Sequence, residues 1–257
     1  MTSYPFTSAL VTGASSGIGE AMVELLADAG IPTVVVARRR DRLDDLAARW
    51  PHLEVLAADL TTAKGLTAVA KRVADGAKPI DLVVNNAGFG TSGEFRSLDP
   101  ARLDDEVQLN VAALTRLSRE ALGVMVPRGR GFLLNVSSVA SFQPAPNLAV
   151  YAATKAYVTS LTESLHEEVR GTGVHVTALC PGLTRTEFQS VSNSDEYAGQ
   201  YPAFVWMEPG EVAKEALADV ARGKALSVPG LIYKGLVTAS GITPRVIARR
   251  LSSIVQR

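Results

Sequence analysis

Cysteine is almost absent from this chain: Cys180 stands alone among 257 residues. An internal disulfide is therefore impossible, and the reading is of a protein working in a reducing, cytoplasmic compartment. Charge imbalance is missing too. The 26 basic residues match 26 acidic ones, so no net field draws the chain to nucleic acid. His52, His166 and His175 lie far apart and make no ligand spacing with Cys180, so no metal site is expected. No apolar run approaches the roughly 18 residues of a membrane span. The opening stretch MTSYPFTSALVTG lacks the basic-then-apolar order of a signal peptide. What is abundant is hydrophobic residue, 47% of the chain, which suffices for a large core.

Short β-branched runs alternate with longer helical patterns, the signature of βα units on a parallel sheet. Strands are expected near 8–13, 32–37, 53–59, 80–86, 131–138, 173–181 and 225–230. Helices are expected near 17–29, 41–50, 62–77, 101–126, 150–170 and 210–222. No repeat or long polar linker interrupts the series, so residues 1–257 read as one α/β domain. Ligands of such sheets bind beyond the carboxyl ends of the strands.

TGASSGIG (12–19) joins the first strand to the first helix. Gly13 permits the tight turn, Gly17 lets backbone approach a phosphate, and Gly19 lets helix and strand pack closely. The amides and dipole of that helix start favour a pyrophosphate. About 20 residues on, where an acidic residue would hold the ribose of NAD, stands ARRRDRL (37–43). Asp41 is expected to cap the second helix. Arg38, Arg39 and Arg40 would then sit at its positive end, where cations are disfavoured. Guanidinium suits a 2′-phosphate, which points to NADP(H) rather than NAD.

Tyr151 and Lys155, in YAATK, fall one turn apart on one helix face, just after a strand ending in NVSS with Ser137 and Ser138. Together with TGASSGIG, NNAG (85–88), Asn110 in QLNVAAL and PGLTRT (181–186), these motifs resemble the short-chain dehydrogenase/reductase family. ARRRDRL and the basic tail are further similar to the branch that includes acyl and hydroxysteroid reductases. The resemblance runs from about residue 8 to 230. It implies a doubly wound Rossmann sheet of seven parallel strands in the order 3-2-1-4-5-6-7.

The resemblance also implies roles. Tyr151 becomes the general acid and base, Lys155 the cation beside it, Ser138 the carbonyl-binding hydroxyl, and Asn110 the holder of a relay water. Cofactor contacts fall on Gly13, Ser15, Ser16, Gly17, Ile18 and Gly19, on Arg38 and Arg39, on Asp59 and Leu60, and on Asn86, Ala87 and Gly88. Tyr151, Lys155, Pro181, Gly182, Thr184 and Thr186 complete the set. Hydride delivery to a carbonyl builds negative charge on oxygen, so a proton donor must stand in place. A phenol near pKa 10 is a slow acid at neutral pH, and the ammonium of Lys155 is expected to lower it. Tyr157, off that face, serves as an internal control.

Residues 183–208 carry Phe188, Tyr197, Tyr201, Phe204, Trp206 and Met207. They read either as a lid over an apolar pocket or as aromatics packing that segment to the body. The segment 231–257 ends in a basic amphipathic stretch, with Thr243 as cap, Pro244 in the first turn, and Arg245, Arg249 and Arg250 beside Ile247, Leu251 and Ile254. That stretch is assigned to the body or a second subunit in preference to peripheral membrane contact. Family members are commonly dimers or tetramers, and a homo-oligomer is expected. The function implied is hydride transfer between NADP(H) and an apolar ketone, aldehyde or secondary alcohol. A non-catalytic NADP(H) sensor is the alternative, and a methyltransferase leaves Tyr151, Lys155 and the arginines unexplained.

Overall fold

Runs of aliphatic and β-branched residues form the strands because both faces of a central parallel strand are covered. In the computed structural model, which describes residues 4–193 and 201–242, these are β1 (Ala9–Thr12), β2 (Thr33–Ala37), β3 (Leu53–Ala57), β4 (Leu82–Asn85), β5 (Gly131–Val136), β6 (Val174–Leu179) and β7 (Leu226–Ser227). They join in one seven-stranded sheet, ordered β3-β2-β1-β4-β5-β6-β7, with every pairing parallel. Strand alternation splits the core into two layers. Val11, Val84 and Leu134 pack on one face of the sheet, while their neighbours Leu10, Val83 and Leu133 pack on the other. Each such side chain contributes about 1.5–3 kcal/mol by leaving water.

The flanking helices are α1 (Gly17–Asp28), α2 (Arg40–Arg49), α3 (Ala63–Val73), α4 (Pro100–Val107), α5 (Leu114–Arg128), α6 (Ala149–Glu168), the short α7 (Phe188–Val191), α8 (Pro209–Ala221) and α9 (Leu231–Ile242). None of the described helices is long and apolar enough to cross a membrane.

Several expectations need correcting. All strands but β2 stop one to three residues short of their expected ends; β1, for example, ends before Gly13, whose φ of +68° leaves the extended region. Asp41 does not cap α2, which starts one residue earlier; Arg39 is its N-cap residue and makes no side-chain capping bond. The continuous helix over 101–126 is instead α4, a π-helical turn (Gln108–Ala113) and α5. Its apolar periodicity carries no signal for an i to i+5 turn. α9 was not expected at all; its only ionisable groups are Tyr233 and Lys234, and Tyr233 is buried. Tyr197 and the tail from Thr243, with Pro244, Ile247, Leu251 and Ile254, lie outside the described residues.

Candidate active site

The carboxyl edge of the sheet gathers the site. After β1 the chain turns through Gly13 and Gly17, both at positive φ (+68° and +61°), before α1 begins. A methyl on Gly17 would come 2.9 Å from Thr186 Cγ2, and one on Gly19 would collide with the Gly13 carbonyl. Side-chain-free backbone therefore lines the floor, and substitution would fill it. Ser16 is the N-cap residue of α1 but gives no side-chain cap, so the first helical amides keep their donors for a ligand. Ile18 packs against the core beside them. Asn86 faces inward: its Nδ2 donates to the Thr12 carbonyl at 2.9 Å, bracing the loop. Ala87 N donates to Thr12 Oγ1.

The arginines divide. Arg38 is exposed and has no ion pair among the described residues. Arg40 pairs with Asp44 along α2. Arg39 folds back onto the glycine loop, with Nε and Nη2 donating to Ser15 Oγ at 3.2 and 3.1 Å. Arg42, which the sequence reading passed over, reaches the Ser15 carbonyl at 3.4 Å. Both also hold Glu187, at 2.8 and 2.7 Å. At the end of β3, Asp59 Oδ1 accepts from Thr61, and the Leu60 side chain is buried in the core. Beyond β6, Pro181 O accepts from Val139 N, and Thr184 Oγ1 donates to the Gly182 carbonyl. Gly182 lies flat against the Tyr233 ring, and Thr186 Oγ1 accepts from Phe188 N.

Asn110, Lys155 and Tyr151 converge on the extended segment that follows β4, and the Ser138 hydroxyl faces the Tyr151 phenol. A methyl on Gly88 would lie 2.8 Å from Asn110 Oδ1 and 3.3 Å from Lys155 Nζ, and one on Gly90 would press on the Tyr151 ring. Asn110 sits in the π turn, buried, with Nδ2 donating to Phe89 O at 2.8 Å and Thr154 Oγ1 at 3.1 Å. Lys155 is buried and donates to the Val136 carbonyl at 2.8 Å. The residue after β5, Ser137, donates its hydroxyl to the Lys155 carbonyl. Phe188 of α7 stands against the Tyr151 ring, centroids 5.3 Å apart. Tyr157 is on the outer face of α6, bonded to Thr115 at 3.0 Å.

Ionisation differs from expectation. Desolvation pushes the Tyr151 phenol up to about 12, against the pull of the Ser138 hydroxyl. Lys155 was expected to acidify the phenol. Desolvation instead pulls Lys155 down to about 8, and its Nζ is 5.7 Å from the phenol ring centre, aimed at a carbonyl. Loss of water is the largest cause of the shift of each group. The phenol therefore keeps its proton at neutral pH.

A second buried acid escaped the sequence reading. Glu106, one turn before Asn110 on α4, is fully buried, and both carboxylate oxygens lack a hydrogen-bond partner, as do Thr91 Oγ1 and Arg102 Nε. Desolvation raises it to about 7 from the ordinary 4.5, held back by the nearby Thr91 hydroxyl and by the Lys155 and Arg102 cations. A raised carboxylate binds more protons folded than unfolded between those values, so its contribution to stability falls as pH rises through that window and stays lost above it. Glu106→Gln keeps the shape without the charge. It is expected to stabilise the protein by about 1–3 kcal/mol at pH 8, raising Tm by several degrees, with little change at pH 5. Melting curves at both pH values check this; an equal shift at both would show that the charge is not the cause.

The fold agrees with comparison to known proteins. A family model described as short chain dehydrogenase matches residues 7–197. An uncharacterized oxidoreductase of Staphylococcus epidermidis is 32% identical over 212 residues, covering 77% of this chain and 92% of that protein. A short-chain dehydrogenase from Sphingobium yanoikuyae, solved in complex with NADPH, is 35% identical with a TM-score of 0.83, covering 91% of this chain and 93% of that one. A bulky-bulky ketone specific alcohol dehydrogenase from Comamonas testosteroni is 33% identical with a TM-score of 0.79, covering 91% and 92%. On the match to the family model and on these similarities, the chain belongs to the short-chain dehydrogenase family.

Proposed function

We propose that this protein is an NADP(H)-dependent oxidoreductase that interconverts an apolar ketone or aldehyde and its alcohol. The observation that carries the reading is the meeting of Asn110, Lys155 and Tyr151 on the segment after β4, with Ser138 facing the Tyr151 phenol and Phe188 against its ring. The residues fit the dinucleotide: the loop from Gly13 to Gly19 and the uncapped start of α1 suit a pyrophosphate, and Arg38, Arg39 and Ser15 suit a 2′-phosphate. Asp59, Leu60, Asn86, Ala87 and Gly88 belong to the adenine and ribose side of the site; Pro181, Gly182, Thr184 and Thr186 belong to its nicotinamide side. A bound reduced nicotinamide supplies the hydride.

The chain's own part is to hold and move a proton. Ser138 Oγ holds the carbonyl oxygen, and Tyr151 Oη gives its proton to the oxygen as negative charge develops there. Burial keeps the phenol protonated, so the hydroxyl carries the proton that carbonyl reduction requires. Lys155 is the cation beside the Tyr151 ring, its Nζ 5.7 Å from the ring centre, and Asn110, pinned at both amide atoms, holds the relay end of the site rigid. Phe188 on one wall favours an apolar substrate, and the Comamonas testosteroni relative is specific for bulky-bulky ketones.

NADPH oxidation against a panel of ketones graded in size and polarity tests the reading. Bulky apolar ketones are expected to turn over with kcat/KM well above that of carboxylated ones. Tight NADPH binding with no turnover on any of them would favour the sensor.

A further inference from the structure

The two guanidiniums at the glycine loop already hold an anion. Arg39 Nη1 meets Glu187 Oε2 at 2.8 Å and Arg42 Nη1 meets Oε1 at 2.7 Å, one carboxylate oxygen to each cation. The same two side chains reach Ser15, whose hydroxyl is buried at the loop. Arg40 is taken by Asp44, so Arg39 and Arg42 are the cations that α2 turns toward the loop. Helix stability does not explain the pairing, since Glu187 lies 145 residues further along the chain than Arg42, on another element. The carboxylate is held well below its usual range by the two guanidiniums, so it is charged throughout the working pH range.

Glu187 also starts α7. The next residue, Phe188, faces the Tyr151 ring, and the end of that segment is tied to the strand-end loop by Gly90 N donating to Ser192 Oγ and Ser92 N to Ser192 O. One short stretch thus touches the arginines at one end and the phenol at the other. A 2′-phosphate is an anion of similar geometry and greater charge, and guanidinium pairs with both.

Resting on the NADP(H) reading above, we infer that Glu187 is an internal competitor for the 2′-phosphate, and that the phosphate displaces it from Arg39 and Arg42 and so frees α7. Glu187 sets cofactor preference by subtraction, charging every 2′-phosphorylated ligand the breaking of two ion pairs. It also links phosphate recognition to the wall beside Tyr151. The pairs are about 40% exposed, so each is of the modest solvent-screened kind, and together they are worth about a five-fold change in affinity.

The test uses adenosine 2′,5′-bisphosphate and 5′-AMP, titrated calorimetrically into the full chain and into Glu187→Gln. The expected result is two-part. The variant binds the bisphosphate about five-fold more tightly with 5′-AMP unchanged, and in the wild type the bisphosphate but not 5′-AMP speeds hydrogen exchange in peptides spanning 186–193. If the wild type prefers the bisphosphate but the variant binds it equally or more weakly, or exchange in that segment is unmoved, Glu187 is not a competitor. If the wild type shows no preference for the bisphosphate, the NADP(H) reading itself fails, and this inference with it.

Discussion

Tyr151→Phe is expected to lower kcat for ketone reduction by about a thousandfold, within the range for loss of a positioned acid. NADPH affinity should change by no more than about threefold, because the phenyl ring keeps its place against Phe188. The hydroxyl is the group in question, and it is protonated in the folded protein, so its removal takes away the proton and not a charge. Steady-state reduction and NADPH fluorescence titration measure the two effects separately. Tyr157→Phe supplies the comparison: its hydroxyl meets only Thr115 on the outer face of α6, and turnover should stay as it was. Residual activity within tenfold of wild type in Tyr151→Phe would remove that hydroxyl as donor.

Replacing Arg38 and Arg39 together with alanine should weaken NADPH by about a hundredfold and NADH by less than about threefold, since charge-assisted bonds to phosphate are worth roughly 1.5–3 kcal/mol each. The single variants should be unequal. Arg39 is anchored on Ser15 and preorganised, whereas Arg38 is exposed and must be ordered on binding. Arg39→Ala should therefore account for most of the loss. Direct titration with both dinucleotides decides it, and equal losses for NADPH and NADH would mean that these side chains do not read the 2′-phosphate.

Much of the frame was legible because strand residues alternate between two apolar layers, and because glycine marks turns such as Gly13 where only backbone fits. Tyr151, Lys155, Ser138 and Asn110 were legible as residues, and the convergence of Tyr151, Lys155 and Asn110 on Gly88 and Gly90 followed from the strand-end rule. What stayed hidden depends on contacts remote in sequence. Nothing near Glu187 announces Arg39 and Arg42, and nothing near Lys155 announces the Val136 carbonyl that takes its proton donor. Glu106 read as one more charge in an amphipathic helix; only the folded structure shows its carboxylate buried without a hydrogen-bond partner. The burial that raises the Tyr151 pKa and lowers that of Lys155 was not legible, because sequence spacing reports which groups are neighbours but not how much water each has lost. Likewise the buried network of Asn85, Ser118, Asn135 and Thr162, which ties β4 and β5 to α5 and α6, follows from tertiary packing alone.

The π turn at Gln108–Ala113 has a consequence for how this helix tolerates change in length. It fits more residues into one revolution than the coil on either side, and Asn110 is aimed by that surplus. Deleting a single residue there would let the coil relax to ordinary pitch and swing the amide roughly a quarter to a third of the way round the axis, off Phe89 and Thr154. The aim of that amide is thus written in the count of residues as much as in their identity.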